Sequence, residues 1–181
     1  ARAEGRRVFV FEPPKKVRRW MAPILAGILL AVSLPWLAFA GNLDDRVALG
    51  DLKSVKIICD VNVGDAKLLL RRLELIDETY TQLLDAGITP TIVVAFRGGA
   101  SHYVTKGDKY VDASKVNTKR EIQGWVDQFR QNGFRLEQCA IAAKAQKVDQ
   151  ADVLAVIHVV QNGYISIAAY QNRGYALLSM D

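Results

Sequence analysis

Phe134-Arg-Leu-Glu-Gln-Cys139, followed at once by Ala140-Ile-Ala-Ala-Lys-Ala-Gln-Lys147, is the stretch on which the fold turns. The first run reads as a strand and the second as a helix, with no hairpin turn between them. A strand that passes directly into a helix calls for a crossover to a parallel neighbour. It also leaves Cys139 at the start of a helix, where unpaired backbone N–H groups and the positive end of the helix dipole gather. Such a place favours the anionic form of sulfur, which is the nucleophilic form.

The same alternation extends in both directions. Upstream, Val55–Val61 is a short β-rich run. Asp65 then stands as an N-cap before apolar positions 66, 69, 70, 73, 76, 80, 83 and 84, which recur at helical spacing up to Gly87. Thr91–Phe96 reads as a second strand, and Arg97-Gly98-Gly99-Ala-Ser-His102 opens a loop running to about Val116. Thr118-x-x-Glu121 has the form of a capping box for a helix carrying Ile122, Trp125, Val126 and Phe129. Downstream, Val153–Val160 is apolar throughout and is expected to be a central strand covered on both faces, with His158 as a core histidine. Asn162 caps a helix through Gln171, and Tyr175–Met180 forms the last strand. The expected fold is therefore α/β: one domain over 55–181, with about five mostly parallel strands and helices on both faces. In open sheets of this kind, chemistry collects beyond the carboxyl ends of the strands. Cys139 and the Arg97-Gly98-Gly99 loop both fall there and could share a crevice.

Charge narrows the possible partners. The chain carries 24 Lys and Arg against 19 Asp and Glu over 181 residues, a net charge of +5. The excess lies entirely in residues 1–40, which hold seven basic and two acidic groups. The rest is neutral, which gives no reason to expect a nucleic-acid partner. Lys15, Lys16, Arg18 and Arg19 precede an apolar stretch from Trp20 to Leu34, and Pro35 and Ala38-Phe-Ala40 follow. That is the order of a secretory signal, with Gly41 as the expected mature N-terminus. An uncleaved anchor over Trp20–Ala40 is the alternative, and would be the chain's one link to a membrane. Residues 41–54 then form a lead-in to the domain. The location expected is the periplasm or another exported compartment, where a reactive thiol needs protection or a sulfur partner.

Other chemistries find no pattern. Cys59, His102, Cys139 and His158 lack the close spacing of a zinc site. No phosphate loop, dinucleotide fingerprint or nucleophile elbow is present. Cys59 reads as a core residue within the first strand, although a Cys59–Cys139 disulfide acting as a redox sensor would be conceivable after export. His102 could shuttle protons or simply sit in a loop. Arg97-Gly98-Gly99 could form a small anion nest or a plain turn. Lys144, about one turn into the helix, could add positive charge near Cys139.

Three stretches carry a family resemblance. Thr91–Ala100 is similar to a strand ending in a His-Gly-x-Ala loop, with Arg97 at the histidine position. Asn132-Gly-Phe-Arg-Leu-Glu-Gln-Cys139-Ala-Ile-Ala-Ala143 is similar to a Gly-Val-x-x-x-x-Cys-x-x-Ala-Ala segment. Val160–Tyr175 is similar to the closing helix of exported relatives. Together they resemble the DsrE/DsrF-like (TusD-like) sulfur-relay family, in its exported branch. The resemblance implies that Cys139 carries sulfane sulfur as a persulfide, exchanged with a thiol or persulfide protein partner. It also implies a homo- or hetero-oligomer, commonly a trimer or hexamer and here most simply a homo-oligomer, without cofactor. Any activity would be at most that of a sulfur carrier or sulfurtransferase. A non-catalytic oligomeric scaffold, with Cys139 as packing, is the alternative.

Overall fold

The computed structural model describes residues 44–181. The leader and the Gly41 cleavage point read from the sequence lie outside them. Residues 44–50 belong to a separate unit, in which Arg46–Leu49 forms a single helical turn. From Asp51 onward the chain forms an α/β domain. Its elements are β1 (Ser54–Val61), α1 (Ala66–Asp85), β2 (Thr89–Phe96), α2 (Val116–Gln131), β3 (Arg135–Cys139), α3 (Ala140–Ala145), β4 (His158–Val160), α4 (Gly163–Asn172) and β5 (Ala176–Ser179). The five strands are all parallel, in the order β4-β3-β2-β1-β5.

This order fixes where each helix lies. From β1 to β4 the chain steps steadily towards one edge, and right-handed crossovers put those connections on one face. Leu69, Leu73 and Ile76 of α1, with Ile122, Val126 and Phe129 of α2, fill that face against Ile57, Cys59, Val94, Phe96 and Leu136. Val153 and Ile157, from the β3–β4 connection, join the same core. The final step returns from β4 to β5 at the opposite edge, so α4 crosses the other face, where Ile167 and Tyr170 meet Ile58, Val93 and Ala95. Loops leaving the carboxyl ends of β3 and β4 therefore turn to opposite faces. Adjacent strands that part in this way leave a crevice between them.

Two helix caps follow the sequence. Asp65 accepts the Leu68 N–H at 2.8 Å, and Asn162 accepts the Tyr164 N–H at 3.0 Å. The capping box at Thr118 does not form. Helix α2 begins two residues earlier, at Val116, which leaves Thr118 inside the helix; its N-cap, Lys115, makes no side-chain cap bond. The fourth strand is also corrected. It is three residues long, lies at the sheet edge, and leaves His158 exposed. The apolar run before it serves as a connection instead: Gln150–Asp152 forms a 3-10 turn, Val153 bridges to Thr105, and Val153 and Ile157 pack downward into the core. Apolar character there marked burial at Val153 and Ile157 but not strand pairing, and Ala155 and Val156 are exposed.

Candidate functional site

Cys139 ends β3 and serves as N-cap of α3, with extended backbone (φ −72°, ψ 118°). Its Sγ accepts two backbone N–H groups, from Ala142 in the first turn of α3 at 3.4 Å and from Gly163 at the start of α4 at 3.2 Å. Two helix starts thus converge on one sulfur, at the crevice that the strand order creates. Gly163 suits the closeness of this fit. A Cβ there would lie 3.0 Å from Cys139 Cβ and 3.4 Å from Sγ.

Cys139 is 5% exposed and lies in the wall of a cavity of about 280 Å³. Arg97, Gly98, Ile141, Ala142, Asn162 and Tyr164 line it as well. Arg97 is held there by Asp60, a buried carboxylate at the end of β1. The guanidinium donates from Nε to Asp60 Oδ1 at 2.5 Å and from Nη2 to Oδ2. Its Nη1 donates to the Tyr164 hydroxyl at 2.8 Å, and its charge lies 4.4 Å from the centre of the Tyr164 ring. Hydrogen bonding to Asp60 raises the guanidinium above its ordinary pKa, so Arg97 keeps its charge. Tyr164, 65% exposed, forms the outer wall of the cavity.

The residues expected around Cys139 separate into two groups. Arg97 and Gly98 line its cavity. Gly99 instead packs backbone to backbone against Gly64. His102 donates from Nε2 to the Gln146 carbonyl at 3.1 Å, fastening the end of α3. Lys144 is exposed and lines a different concavity, with Lys147, Val148, Asp149 and Gln150. Sequence reasoning did not bring Asp60, Asn162, Gly163 or Tyr164 to the site, and read Asn162 only as a helix cap. A lone aspartate in an otherwise apolar strand end was the available signal for Asp60, because a buried charge needs a partner. No group of acidic, histidine and cysteine side chains able to hold a metal occurs among the described residues.

The Cys59–Cys139 redox pair is excluded within one chain. Cys59 pairs with Val94, which pairs with Leu136, three residues before Cys139. Two strand spacings of about 4.8 Å and an axial offset of about 10 Å separate the two, well beyond the ~7 Å a disulfide can span. Cys59 also faces the α1–α2 core, opposite to Cys139, and burial pushes its thiol up to about 12. Both cysteines are free.

Comparison with known proteins places this arrangement in a family. The family model described as DsrE/DsrF-like matches residues 65–180, and the chain belongs to that family. Among solved structures, the protein of unknown function MTH1491 from Methanobacterium thermoautotrophicum is similar in fold. It has a TM-score of 0.55 at 18% identity, over 69% of this chain and 98% of that one. The ychN protein from E. coli gives 0.50 at 10% identity, over 71% and 99%. No curated protein matches by sequence.

Proposed function

We propose that the protein binds and relays sulfane sulfur as a persulfide on Cys139. The observation that carries this reading is the pair of backbone N–H groups, from two different helices, directed at Sγ in the wall of a cavity. Fixed donors of this kind stabilise negative charge on sulfur without reorganising. In the loading step, the Cys139 thiolate attacks the outer sulfur of a persulfide donor R–S–SH. The new S–S bond forms as the donor's own S–S bond breaks, and R–S⁻ leaves with the electron pair. A partner thiolate then attacks the outer sulfur on Cys139, and the Cys139 thiolate is the leaving group. No external oxidant or reductant is required.

The test is treatment of the folded protein with polysulfide, followed by peptide mass spectrometry. Cys139 should gain one sulfur, while Cys59, only 1% exposed and held as a neutral thiol, should gain none until the chain is unfolded. A wild-type protein that takes up no sulfur on Cys139, under conditions that load a known carrier, would falsify the reading. A second reading draws on the 5% exposure of Cys139. It makes the protein a non-catalytic oligomeric scaffold in which Cys139 is packing, and it expects neither sulfur uptake nor a changed assembly in Cys139→Ser.

The same reading includes export to the periplasm and a homo-oligomer. Among the described residues no helix is long and apolar enough to cross a membrane. Helix α4 is apolar on its inner and outer sides alike, with Tyr164, Ile165, Ala168 and Ala169 exposed. A helix of that character calls for cover on both sides. Native mass spectrometry of the protein from the cell envelope reads both points: subunits beginning at Gly41, assembled as three or six. A monomer retaining the leader would remove them.

A further inference from the structure

Strand β3 and helix α4 meet along two matched rows. Arg135, Glu137 and Cys139 alternate along β3 and so share the face that α4 covers. On α4, Gly163, Ser166, Ile167 and Tyr170 recur at helical spacing and turn towards the strand. Ile167 and Tyr170 settle on Ile58, Val93 and Ala95. Apolar contact of this kind is non-directional. It holds the helix down without fixing how far along its axis the helix stops.

Direction comes from Glu137, which is 2% exposed. Its Oε1 accepts the Tyr170 hydroxyl at 3.0 Å and Arg135 Nε at 2.6 Å, and its Oε2 accepts the Ser166 hydroxyl. Burial, then the bond to Glu137, push the Tyr170 phenol up to about 12, so it remains a donor. Two of the three donors stand one turn apart on α4, and together they set both the rotation and the axial position of the helix. The first residue of the helix so fixed is Gly163, whose N–H reaches Cys139 Sγ at 3.2 Å. Cys139 lies two residues beyond Glu137, on the same strand and the same face.

We propose that Glu137 is the positioning residue of the sulfur site: it holds α4 in the register that keeps the Gly163 N–H on Cys139 Sγ. The proposal rests on the hydrogen bonds of the sulfur and not on its cargo. A wild-type protein that failed to take up sulfur would leave it standing.

Its experiment accordingly uses no sulfane sulfur. Amide hydrogen exchange by NMR is compared in wild type, Glu137→Gln and Tyr170→Phe, with iodoacetamide labelling of Cys139 at pH 7 alongside. Exchange at Gly163 should rise about tenfold in Glu137→Gln and by a smaller factor in Tyr170→Phe, while β1 and β2 stay at wild-type rates. Labelling of Cys139 should slow about threefold in Glu137→Gln, because its Sγ loses the Gly163 N–H, one of two fixed donors that favour negative charge on sulfur. Gly163→Ala should slow labelling to a similar extent, and the double variant should be no slower than either single one, because both act through one hydrogen bond. Wild-type exchange at Gly163 in both Glu137→Gln and Tyr170→Phe, or effects of Glu137→Gln and Gly163→Ala that multiply, would overturn the proposal. So would a lower melting temperature with unchanged labelling, which is what a purely structural carboxylate gives. If Glu137→Gln fails to fold, Tyr170→Phe keeps the ring packing, and its Gly163 exchange decides the matter.

Discussion

Replacing Arg97 with alanine should lower stability by about 3–5 kcal/mol and open the sulfur cavity. The Asp60 side chain is 9% exposed and that of Arg97 16%, so the pair is largely withdrawn from water. Removing the guanidinium strands a carboxylate at the end of β1 with no other ion-pair partner among the described residues. The penalty is that of an uncompensated buried charge, much greater than the loss of an exposed salt bridge. The same substitution frees Tyr164, which loses both its hydrogen bond and its cation–π contact. Urea denaturation should show the lower midpoint, and iodoacetamide should label Cys139 faster than in wild type. Changing both partners, Asp60→Leu with Arg97→Leu, should recover most of the stability, since a buried pair exchanged for apolar groups is often neutral. A single-variant loss below about 1 kcal/mol would show that water already reaches the pair and screens it.

Gly99→Ala should lower stability by about 3 kcal/mol, for a steric reason. A Cβ on Gly99 would lie 2.4 Å from Gly64 Cα and 3.0 Å from Gly64 N. The obstacle is backbone, so no side-chain rotation relieves it, and the loops after β1 and β2 must separate. Overpacking of a close contact costs about 1–3 kcal/mol where neighbours yield, and more where they do not. The reciprocal change, Gly64→Ala, puts its Cβ 3.4 Å from Gly99 Cα, an ordinary contact, and should stay within about 1 kcal/mol of wild type. Thermal melts of the two variants decide the point. Equal midpoints would mean that the two loops do not meet as closely as described.

These two loops show what could be read in advance and what could not. In Arg97-Gly98-Gly99 the glycines suggested a turn or a small anion nest. Gly98 does turn, at φ +53°, but Gly99 is needed for an approach between two loops 35 positions apart in the chain. Arg97 was expected only as a neighbour of the thiol in a shared crevice. Its charge is matched by Asp60, 37 residues earlier, and what it controls is the seat of Tyr164. Lys144 was placed beside Cys139 by sequence distance along a helix. The short α3 turns it outward to another concavity. Each of these outcomes depends on a partner that local sequence does not name.

The chain by itself determined the alternation of strand and helix, the two caps at Asp65 and Asn162, and the place of Cys139 at a strand–helix junction. These follow from local periodicity, from side-chain hydrogen bonds that span two or three residues, and from the family resemblance of a contiguous stretch. Only the tertiary structure decided that β4 is an edge strand. It decided too that α4 crosses the opposite face, and that a second helix start therefore reaches the same sulfur. The physical reason is strand order. The return from β4 to β5 reverses the direction of travel across the sheet, and that reversal brings Gly163, 24 residues after Cys139, within hydrogen-bonding distance of its Sγ.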